Sequence, residues 1–206
     1  MKLVGVYLSP FVRRVAVALH HYGLEFDRVE ASVVDGRETI AAFNGLVRVP
    51  SLILDDGSVL IDSHQILADL DRQVEPNKRL CPIETKTQRP YGQMLAFLTG
   101  SMEKMVATFY ETRRRPADKV WPQWAQQCAD QAVGGILSAE AVAPEGITER
   151  GYLFEYRLTH ADIATVIAFE MLSGALPDRV NAQTLPKLAA LAARLGPLEN
   201  FRSTRP

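Results

Sequence analysis

LVGVYLSPFVRRV, residues 3–15, is the stretch that decides the fold. Its first half, Leu3 to Leu8, is a short apolar run with the composition of a buried β-strand. The Ser9-Pro10 pair that follows is typical of a helix start, because serine is a favoured N-cap and proline fits the first helical position. Apolar residues then recur at helical spacing as far as Gly23, which predicts a helix that ends there.

The next segments extend this start into a βαβαββα order. Residues 26–31 alternate apolar and charged side chains and predict a second strand, and residues 36–43 form a weaker helical stretch. Residues 51–54 and 59–61 predict two antiparallel strands, because Asp55-Asp56-Gly57 between them is typical of a hairpin turn. Asp62-Ser63 then offers N-caps for a third helix.

The second half of the chain has no further strand pattern. Residues 74–82 are rich in turn-forming and charged residues and predict a linker. After it we expect helices at about 84–113, 118–141, 159–173 and 185–195, with a capping box at Thr159-His-Ala-Asp162. We therefore predict an α/β plus all-α protein, with an α/β domain over residues 1–75 and an all-helical domain over residues 83–206.

Composition narrows the functional classes. The chain has 206 residues, 47 % hydrophobic and 23 % charged, as in ordinary globular proteins. A net charge of -1 disfavours a nucleic-acid footprint, and no window of 18 uncharged apolar residues predicts a membrane span. Cys81 and Cys128 match neither a disulfide framework nor a metal site. With an N-terminal run too short for a signal sequence, we expect a cytoplasmic protein with no metal, no nucleic acid and no membrane among its partners.

Four motifs, in this order, resemble those of the cytosolic glutathione transferases of bacterial type. They are Ser9-Pro-Phe-Val-Arg-Arg-Val15, Arg48-Val-Pro50, Asp62-Ser63 and Thr159-His-Ala-Asp-Ile163. The resemblance spans almost the whole chain. It implies a thioredoxin-like N-terminal domain that binds glutathione as co-substrate, and a helical domain that contributes a pocket for a small hydrophobic electrophile. It also implies a homodimer with a role in detoxification.

Ser9 is the catalytic residue that the resemblance implies. A free thiol with a pKa near 8.5 is only a few per cent thiolate at neutral pH, so the protein must stabilise the anion. A hydroxyl and backbone N–H groups at a helix start can donate to the sulfur, and the helix dipole attracts it. The alternative is that Ser9 is an N-cap only. Tyr7, two residues earlier, is a second candidate hydroxyl.

The remaining glutathione contacts are implied by the same resemblance. A cis bond between Val49 and Pro50 is expected to turn the Val49 backbone towards the cysteinyl unit. Asp62 and Ser63 are expected to hold the γ-glutamyl end, although both also suit an ordinary cap. The other candidates are Arg48 and Arg37 for the glycyl carboxylate, Phe11 beside the thiol, and Tyr7, Met105, Phe109 and Tyr110 for the electrophile pocket. The Met and aromatic residues are equally typical of a helix core.

Other activities stay open at this stage. Several relatives carry cysteine where this chain has Ser9, and they favour thiol exchange, which the lack of a cysteine before Cys81 disfavours. Isomerase relatives carry a Ser-Ser-Cys turn that Leu8-Ser9-Pro10 lacks. Peroxidase and dehalogenase chemistry are not separated from conjugation. A protein-binding module resembling the stringent-starvation proteins is the non-catalytic alternative. Arg113-Arg-Arg115, the only basic run, is interpreted as a helix C-terminus that complements its dipole.

Overall fold

The computed structural model describes residues 1–147 and 151–206, and these form two compact units. The first unit comprises Met1–Ile83 and Gly196–Pro206, and the second comprises Glu84–Leu195. The sequence placed the linker at residues 74–82, beside this division. It assigned the C-terminal residues to the helical domain, whereas 196–206 group with the first unit.

The first unit has the βαβαββα order that the sequence predicts. Its elements are β1 (Lys2–Val4), α1 (Pro10–Tyr22), β2 (Asp27–Val29), α2 (Arg37–Ala41), β3 (Ser51–Ile53), β4 (Val59–Ile61) and α3 (Ser63–Gln73). The strands form one sheet in the order β2-β1-β3-β4. β1 runs parallel to β2 and antiparallel to β3, and β3 and β4 form the predicted antiparallel hairpin.

Each face of this sheet packs against helices. Val4 lies in a cluster with Ala31 and with Ile40 of α2, and Ile53 packs against that cluster. α1 contacts β1, α3 contacts β3, and α1 and α3 contact each other. Because side chains alternate along a strand, the buried Leu3 and Leu52 point away from the α2 face. The sheet therefore holds the start of α1 and the start of α3 on a common scaffold.

Three strands are shorter than the sequence predicts, and β3 loses only one residue, since it ends at Ile53. β1 ends at Val4 rather than at Leu8, because Gly5 adopts φ +135° and Val6 accepts a hydrogen bond from the Ser9 N–H that closes a turn. β2 is confined to Asp27–Val29. The apolar residues after Val4 thus belong to a turn, and Tyr7 does not lie on a strand.

α1 buries two arginines, although an amphipathic helix would normally direct such residues to solvent. Arg13 donates from Nε to Thr204 Oγ1 and from Nη2 to the Phe201 carbonyl, both at 3.4 Å. Phe201 and Thr204 belong to the C-terminal segment, which contains a short helix, α8 (Glu199–Arg202). Arg13 therefore ties this segment to α1 within the first unit.

The second unit is helical, as predicted. α4 (Thr85–Arg113) packs against α5 (Pro122–Val142) and α6 (His160–Ala175), and α6 packs against α7 (Pro186–Leu195). The first nine residues of α6 are all buried, so this helix forms the centre of the unit. Its start is the predicted capping box of Thr159 and Asp162, which the structure confirms.

Candidate functional site

The register of the sheet brings three of the predicted segments to one end of the first unit. Val4 lies opposite Ser51, and Ser51 lies opposite Ile61. Three segments begin one residue beyond this row. They are the turn that leads to α1, the Val49-Pro50 pair ahead of β3, and the Asp62-Ser63 pair ahead of α3. The pattern of antiparallel neighbours therefore places these three segments side by side.

Gly5 sets how closely two of these segments approach. A Cβ atom built on Gly5 would lie 2.4 Å from Val12 Cγ2 and 3.1 Å from Val49 Cβ, so there is no space for a side chain. Its φ of +135° is also a conformation that favours glycine. The start of α1 and the Val49 loop thus pack directly on the Gly5 backbone. Gly5 was not among the candidates predicted from the sequence, although a glycine inside an apolar strand pattern often marks such an approach.

Ser9 is the N-cap of α1, as predicted. Its Oγ accepts a hydrogen bond from the Val12 N–H at 3.4 Å, and its own N–H donates to the Val6 carbonyl at 3.0 Å. Within the described chain no acceptor takes the Ser9 hydroxyl proton. Since Pro10 has no N–H, the donors left at this turn are the Ser9 hydroxyl and the N–H of the half-buried Phe11. The Ser9 N–H is not among them, because it donates to the Val6 carbonyl.

The electrostatics of this helix start favour an anion. The first turn of α1 contains no acidic residue, so nothing on the helix opposes the positive end of its dipole. Ser9 is half-buried, which limits how well water competes for the hydroxyl. A negatively charged group beside Ser9 therefore meets a hydroxyl donor and a helix dipole together.

The Val49-Pro50 bond is cis, as the family resemblance implied. Asn44 holds the loop before it: Nδ2 donates to the Arg48 carbonyl at 3.0 Å, and Oδ1 accepts from the Leu46 N–H at 2.9 Å. Val49 itself has no backbone hydrogen bond to any described residue. Its N–H and C=O are the pair that an added extended peptide would use in β-type pairing.

The start of α3 is built around a strained aspartate. Asp62 has φ +68°, a left-handed conformation that is uncommon for residues other than glycine. Its Oδ1 accepts from the His64 N–H at 2.8 Å. Ser63 follows as the first helical residue and is buried. Strain of this kind persists only where the surroundings enforce it, and it occurs frequently at ligand sites.

The two predicted arginines are exposed. Arg48 directly precedes Val49, and Arg37 is the first residue of α2. Neither makes an ion pair with any residue that the structure describes. Both guanidinium groups are therefore available to an anionic ligand, and the structure adds no further contact for either.

Tyr7 lies beneath Arg28, whose guanidinium carbon is 3.7 Å from the centre of the phenol ring. Only 7 % of the residue is exposed, and burial raises the pKa of the Tyr7 hydroxyl despite the nearby guanidinium. The neutral phenol is therefore favoured. The aromatic ring serves to hold the turn between β1 and α1 against β2.

The predicted electrophile residues on α4 differ in exposure. Met105 is buried, Phe109 is half-buried and Tyr110 is exposed. The Phe109 and Tyr110 rings meet edge to face at 6.0 Å, and the Arg114 guanidinium lies 5.6 Å from the centre of the Phe109 ring. Met105 thus belongs to the core of the second unit, whereas Tyr110 presents an aromatic surface.

Three other features of the described residues concern thiol chemistry, metal binding and membrane spans. Burial and the neighbouring Asp71 raise the pKa of the Cys81 thiol to about 11, so this cysteine is a poor nucleophile at neutral pH. No group of three His, Cys, Asp or Glu side chains with metal-site geometry occurs in residues 1–147 and 151–206. In the same ranges, no helix combines the length and apolar character needed to cross a membrane.

Comparison with known proteins gives matches over the whole chain. Residues 3–78 match the family model described as glutathione S-transferase, N-terminal domain. The Escherichia coli K12 protein named uncharacterized GST-like protein YibF is 28 % identical over 211 residues, which cover 100 % of this chain and 98 % of YibF.

Two solved structures are similar in both units. A glutathione S-transferase from Methylobacterium radiotolerans in complex with glutathione sulfonate has a TM-score of 0.87 and 27 % identity, covering 100 % of this chain and 94 % of that one. A glutathione transferase family member from Pseudomonas fluorescens Pf-5 with bound glutathione has a TM-score of 0.84 and 30 % identity, covering 100 % and 98 %. The thioredoxin-like first unit and the helical second unit therefore both match the same solved structures. This chain belongs to the glutathione S-transferase family.

Proposed function

We propose that this protein is a glutathione transferase that conjugates the thiolate of glutathione to a small hydrophobic electrophile. The observation that carries the proposal is that three candidate ligand-binding features meet at one end of the sheet. These are the Ser9 hydroxyl, the Val49 backbone and the start of α3 at Asp62-Ser63. A purely structural role does not require all three at one place.

The chemistry of glutathione matches these features in kind. Its central cysteinyl unit has a peptide N–H and C=O that suit the Val49 backbone. Its γ-glutamyl end has a carboxylate that suits the buried Ser63 at a helix start, and an amine that suits the Asp62 carboxylate. Its glycyl carboxylate suits an unpaired arginine, for which Arg48 and Arg37 are the candidates. Two similar structures hold glutathione or its sulfonate as the bound ligand.

Ser9 is the catalytic residue of the proposed reaction. Its hydroxyl donates a hydrogen bond to the sulfur, and the dipole of α1 favours the negative charge, so the thiol loses its proton to solvent at a lower pH. The thiolate then attacks an electrophilic carbon. A C–S bond forms with the sulfur electron pair, and the leaving group departs with its own bonding pair. Holding both reactants in one site supplies the rest of the rate acceleration.

Calorimetric titration with glutathione tests the proposal. We expect saturable binding to the unaltered protein and weaker binding to a Ser63→Ala variant. Ser138→Ala, which removes a hydroxyl from the half-buried Ser138 of α5 in the second unit, is the matched control and should bind as the unaltered protein does. Absence of binding by the unaltered protein across millimolar glutathione would overturn the proposal and favour the protein-binding alternative. The homodimer and a role in detoxification stay predictions from the family, and the cytoplasmic location stays a prediction from the sequence.

A further inference from the structure

The C-terminal segment, residues 196–206, packs along α1 within the first unit. Its short helix α8 begins at Glu199, close to His20 in the last turn of α1. Burial lowers the pKa of His20, and the nearby Glu199 carboxylate opposes that shift. Further along the segment, Thr204 contacts Arg13, which lies in the first half of α1. The segment therefore runs antiparallel to α1 and approaches the helix start that carries Ser9.

Arg13 connects this segment to α1 through directional contacts. Its Nε donates to Thr204 Oγ1 and its Nη2 to the Phe201 carbonyl, both at 3.4 Å, and all three residues are buried. An arginine is seldom buried unless its charge is hydrogen-bonded, and a segment that only covered apolar surface would not need a guanidinium. Hydrogen bonds fix an orientation, whereas the hydrophobic effect is non-directional. These contacts therefore define how α1 lies against the segment.

The backbone of Arg13 is bonded to the cap of the same helix. Its N–H donates to the Ser9 carbonyl at 3.0 Å, and the Val12 N–H donates to Ser9 Oγ at 3.4 Å. Residues four apart lie on one face of a helix, and helical side chains lean towards the N-terminus, so the Arg13 side chain is directed over the turn that contains Ser9. A contact that restrains Arg13 thus also restrains Ser9.

The start of α1 has a second support on its other neighbour. The Val12 side chain is buried and packs against Gly5, at the end of β1. Successive residues of a helix project about 100° apart, so Val12 and Arg13 restrain the helix from two directions. The sheet supplies one restraint and the C-terminal segment supplies the other. Together they fix the rotation of α1 about its axis, which sets where the Ser9 hydroxyl points.

We infer that the C-terminal segment positions the start of α1 for thiolate binding, and that Arg13 is the positioning residue through which it acts. It rests on the proposed function, because the Ser9 hydroxyl is the group whose placement matters. Hydrogen bonds weaken steeply as distance and angle depart from their best values. Loosening the segment should therefore raise the pKa of the bound thiol and leave the peptide contacts at Val49 and Ser63 in place.

Three variants of the segment test this role. Thr204→Val keeps the shape of the side chain and removes the oxygen that accepts from Arg13 Nε. Thr204→Ser keeps the hydroxyl and should behave as the unaltered protein does. Ser203→Ala is the matched control, because it removes the neighbouring exposed hydroxyl, which donates to the Glu199 carbonyl at 2.7 Å and not to α1.

Amide hydrogen exchange in the ligand-free protein measures the positioning itself. In Thr204→Val we expect the Val12 and Arg13 amides to exchange about fivefold faster, the factor that corresponds to the loss of one ordinary hydrogen bond. The Ile66 amide, which donates to the Asp62 carbonyl at 3.0 Å at the start of α3, should exchange at an unchanged rate. No change at α1, or equal acceleration at both helix starts, would overturn the inference.

The pH profile of conjugation measures the consequence for the thiol. In Thr204→Val we expect the pKa of the bound thiol to rise by about half a unit to one unit and the rate at pH 6.5 to fall by about two- to tenfold. Above about pH 9 the thiol is ionised in both proteins, so the two rates should converge. A merely structural role would lower the rate by one factor at every pH, because it would reduce the amount of folded protein. A loss that is independent of pH, or no loss, would contradict the positioning role.

Glutathione titration keeps this role distinct from the proposed function. We expect Thr204→Val to bind glutathione within about threefold of the unaltered protein, because Val49, Asp62 and Ser63 lie outside α1. Absence of binding by the unaltered protein, with faster exchange at α1 in the variant, would reject the proposed function and still support the positioning of this helix start. Intact binding and conjugation, with unchanged exchange and an unchanged pH profile in the variant, would reject only the role of the segment.

Discussion

The starts of α1 and α6 both have a hydroxyl residue as N-cap, but only at α6 does the hydroxyl of the cap have an acceptor within the described chain. At α1 the cap, Ser9, is half-buried, its hydroxyl proton has no described acceptor, and the first turn contains no acid. At α6 the cap, Thr159, is fully buried. Its N–H and its hydroxyl both donate to Asp162 Oδ2, at 2.7 and 2.6 Å, and Asp162 Oδ1 accepts from the Leu153 N–H at 2.7 Å.

The difference shows how one local motif can serve either stability or binding. The α6 start supplies its own anion, the Asp162 carboxylate, so its donors are satisfied inside the fold and nothing remains for a ligand. We call it the closed start, and we call the start of α1 the open start. The α1 start has the donors and the dipole but no anion of its own. It gives up part of the stabilisation that a capping carboxylate would provide, and in the proposed function the glutathione thiolate would restore that stabilisation.

Removing the anion from the closed start should have the largest effect. In Asp162→Ala, the Leu153 N–H and both Thr159 donors lose their partner inside the protein. Since each buried unsatisfied donor costs about 1 to 3 kcal/mol, we expect the free energy of unfolding at pH 7 to fall by about 3 kcal/mol. Urea denaturation followed by circular dichroism measures it.

The matched control for this variant is Asp130→Ala. Asp130 is exposed and pairs with Arg179 on the surface of the same unit, so its removal should change stability by less than about 0.5 kcal/mol. Equal and small effects of the two substitutions would show that the capping carboxylate is not a major source of stability. The contrast between the closed and the open start would then have no energetic basis.

Removing the donor from the open start should have the next largest effect, and on activity more than on stability. In Ser9→Ala we expect the pKa of the bound thiol to rise by one to two units and the conjugation rate at pH 6.5 to fall by about 10- to 100-fold. The ultraviolet absorbance of the thiolate and a rate assay with a chlorodinitrobenzene measure the two quantities. Ser9→Thr, which keeps the hydroxyl, should recover most of the rate. Full activity in Ser9→Ala would remove Ser9 from the proposed mechanism.

The closed start should also leave a signature in the pH dependence of stability. Burial raises the pKa of Asp162 to about 6, although hydrogen bonds from Thr159 and Leu153 favour the ionised form. The folded state therefore holds this proton more tightly than the unfolded state does. The contribution of Asp162 to stability is greatest below the ordinary carboxyl pKa and declines as the pH rises towards 6.

A comparison with Asp162→Asn isolates this titration, since the amide does not ionise. The stability advantage of the unaltered protein over the variant should be larger at pH 5 than at pH 7 by about 1 kcal/mol. Urea denaturation at the two pH values measures the difference. An advantage that is the same at the two pH values would mean that hydrogen bonding offsets burial at this carboxylate and that its pKa is not raised.

The helix starts were the part of the molecule that sequence could predict best. Three N-caps were predicted from short local motifs, and each lies where the sequence indicated: Ser9, Asp62 and Thr159. Pro50 in cis also agrees with the family resemblance. Local capping rules need only three or four neighbouring residues, so they are readable without knowledge of the fold.

Features that depend on distant partners were not readable. The burial of Arg13 depends on Phe201 and Thr204, which are almost 200 positions away in the sequence. Glu155 is another case: it adopts φ +53°, and its carboxylate accepts the Glu84 N–H near the start of α4 at 2.8 Å. The sequence predicts no contact between Glu155 and the start of α4. Such nonlocal partners are set by tertiary packing, on which residue spacing carries no information.

The smallest effect in this series should come from Tyr7→Phe. This variant tests whether the Tyr7 or the Ser9 hydroxyl is the donor to the thiolate at the open start. The Arg28 guanidinium covers the Tyr7 ring, and phenylalanine keeps that ring and its cation–π contact. The hydroxyl that is lost has a raised pKa and stays neutral near pH 7. We therefore expect a change of less than about threefold in conjugation rate, against the larger loss in Ser9→Ala. The same chlorodinitrobenzene assay measures both. If Tyr7→Phe loses more than Ser9→Ala, the phenol is the thiolate donor, and the open start of α1 serves to hold Tyr7 in place rather than to bind the sulfur itself.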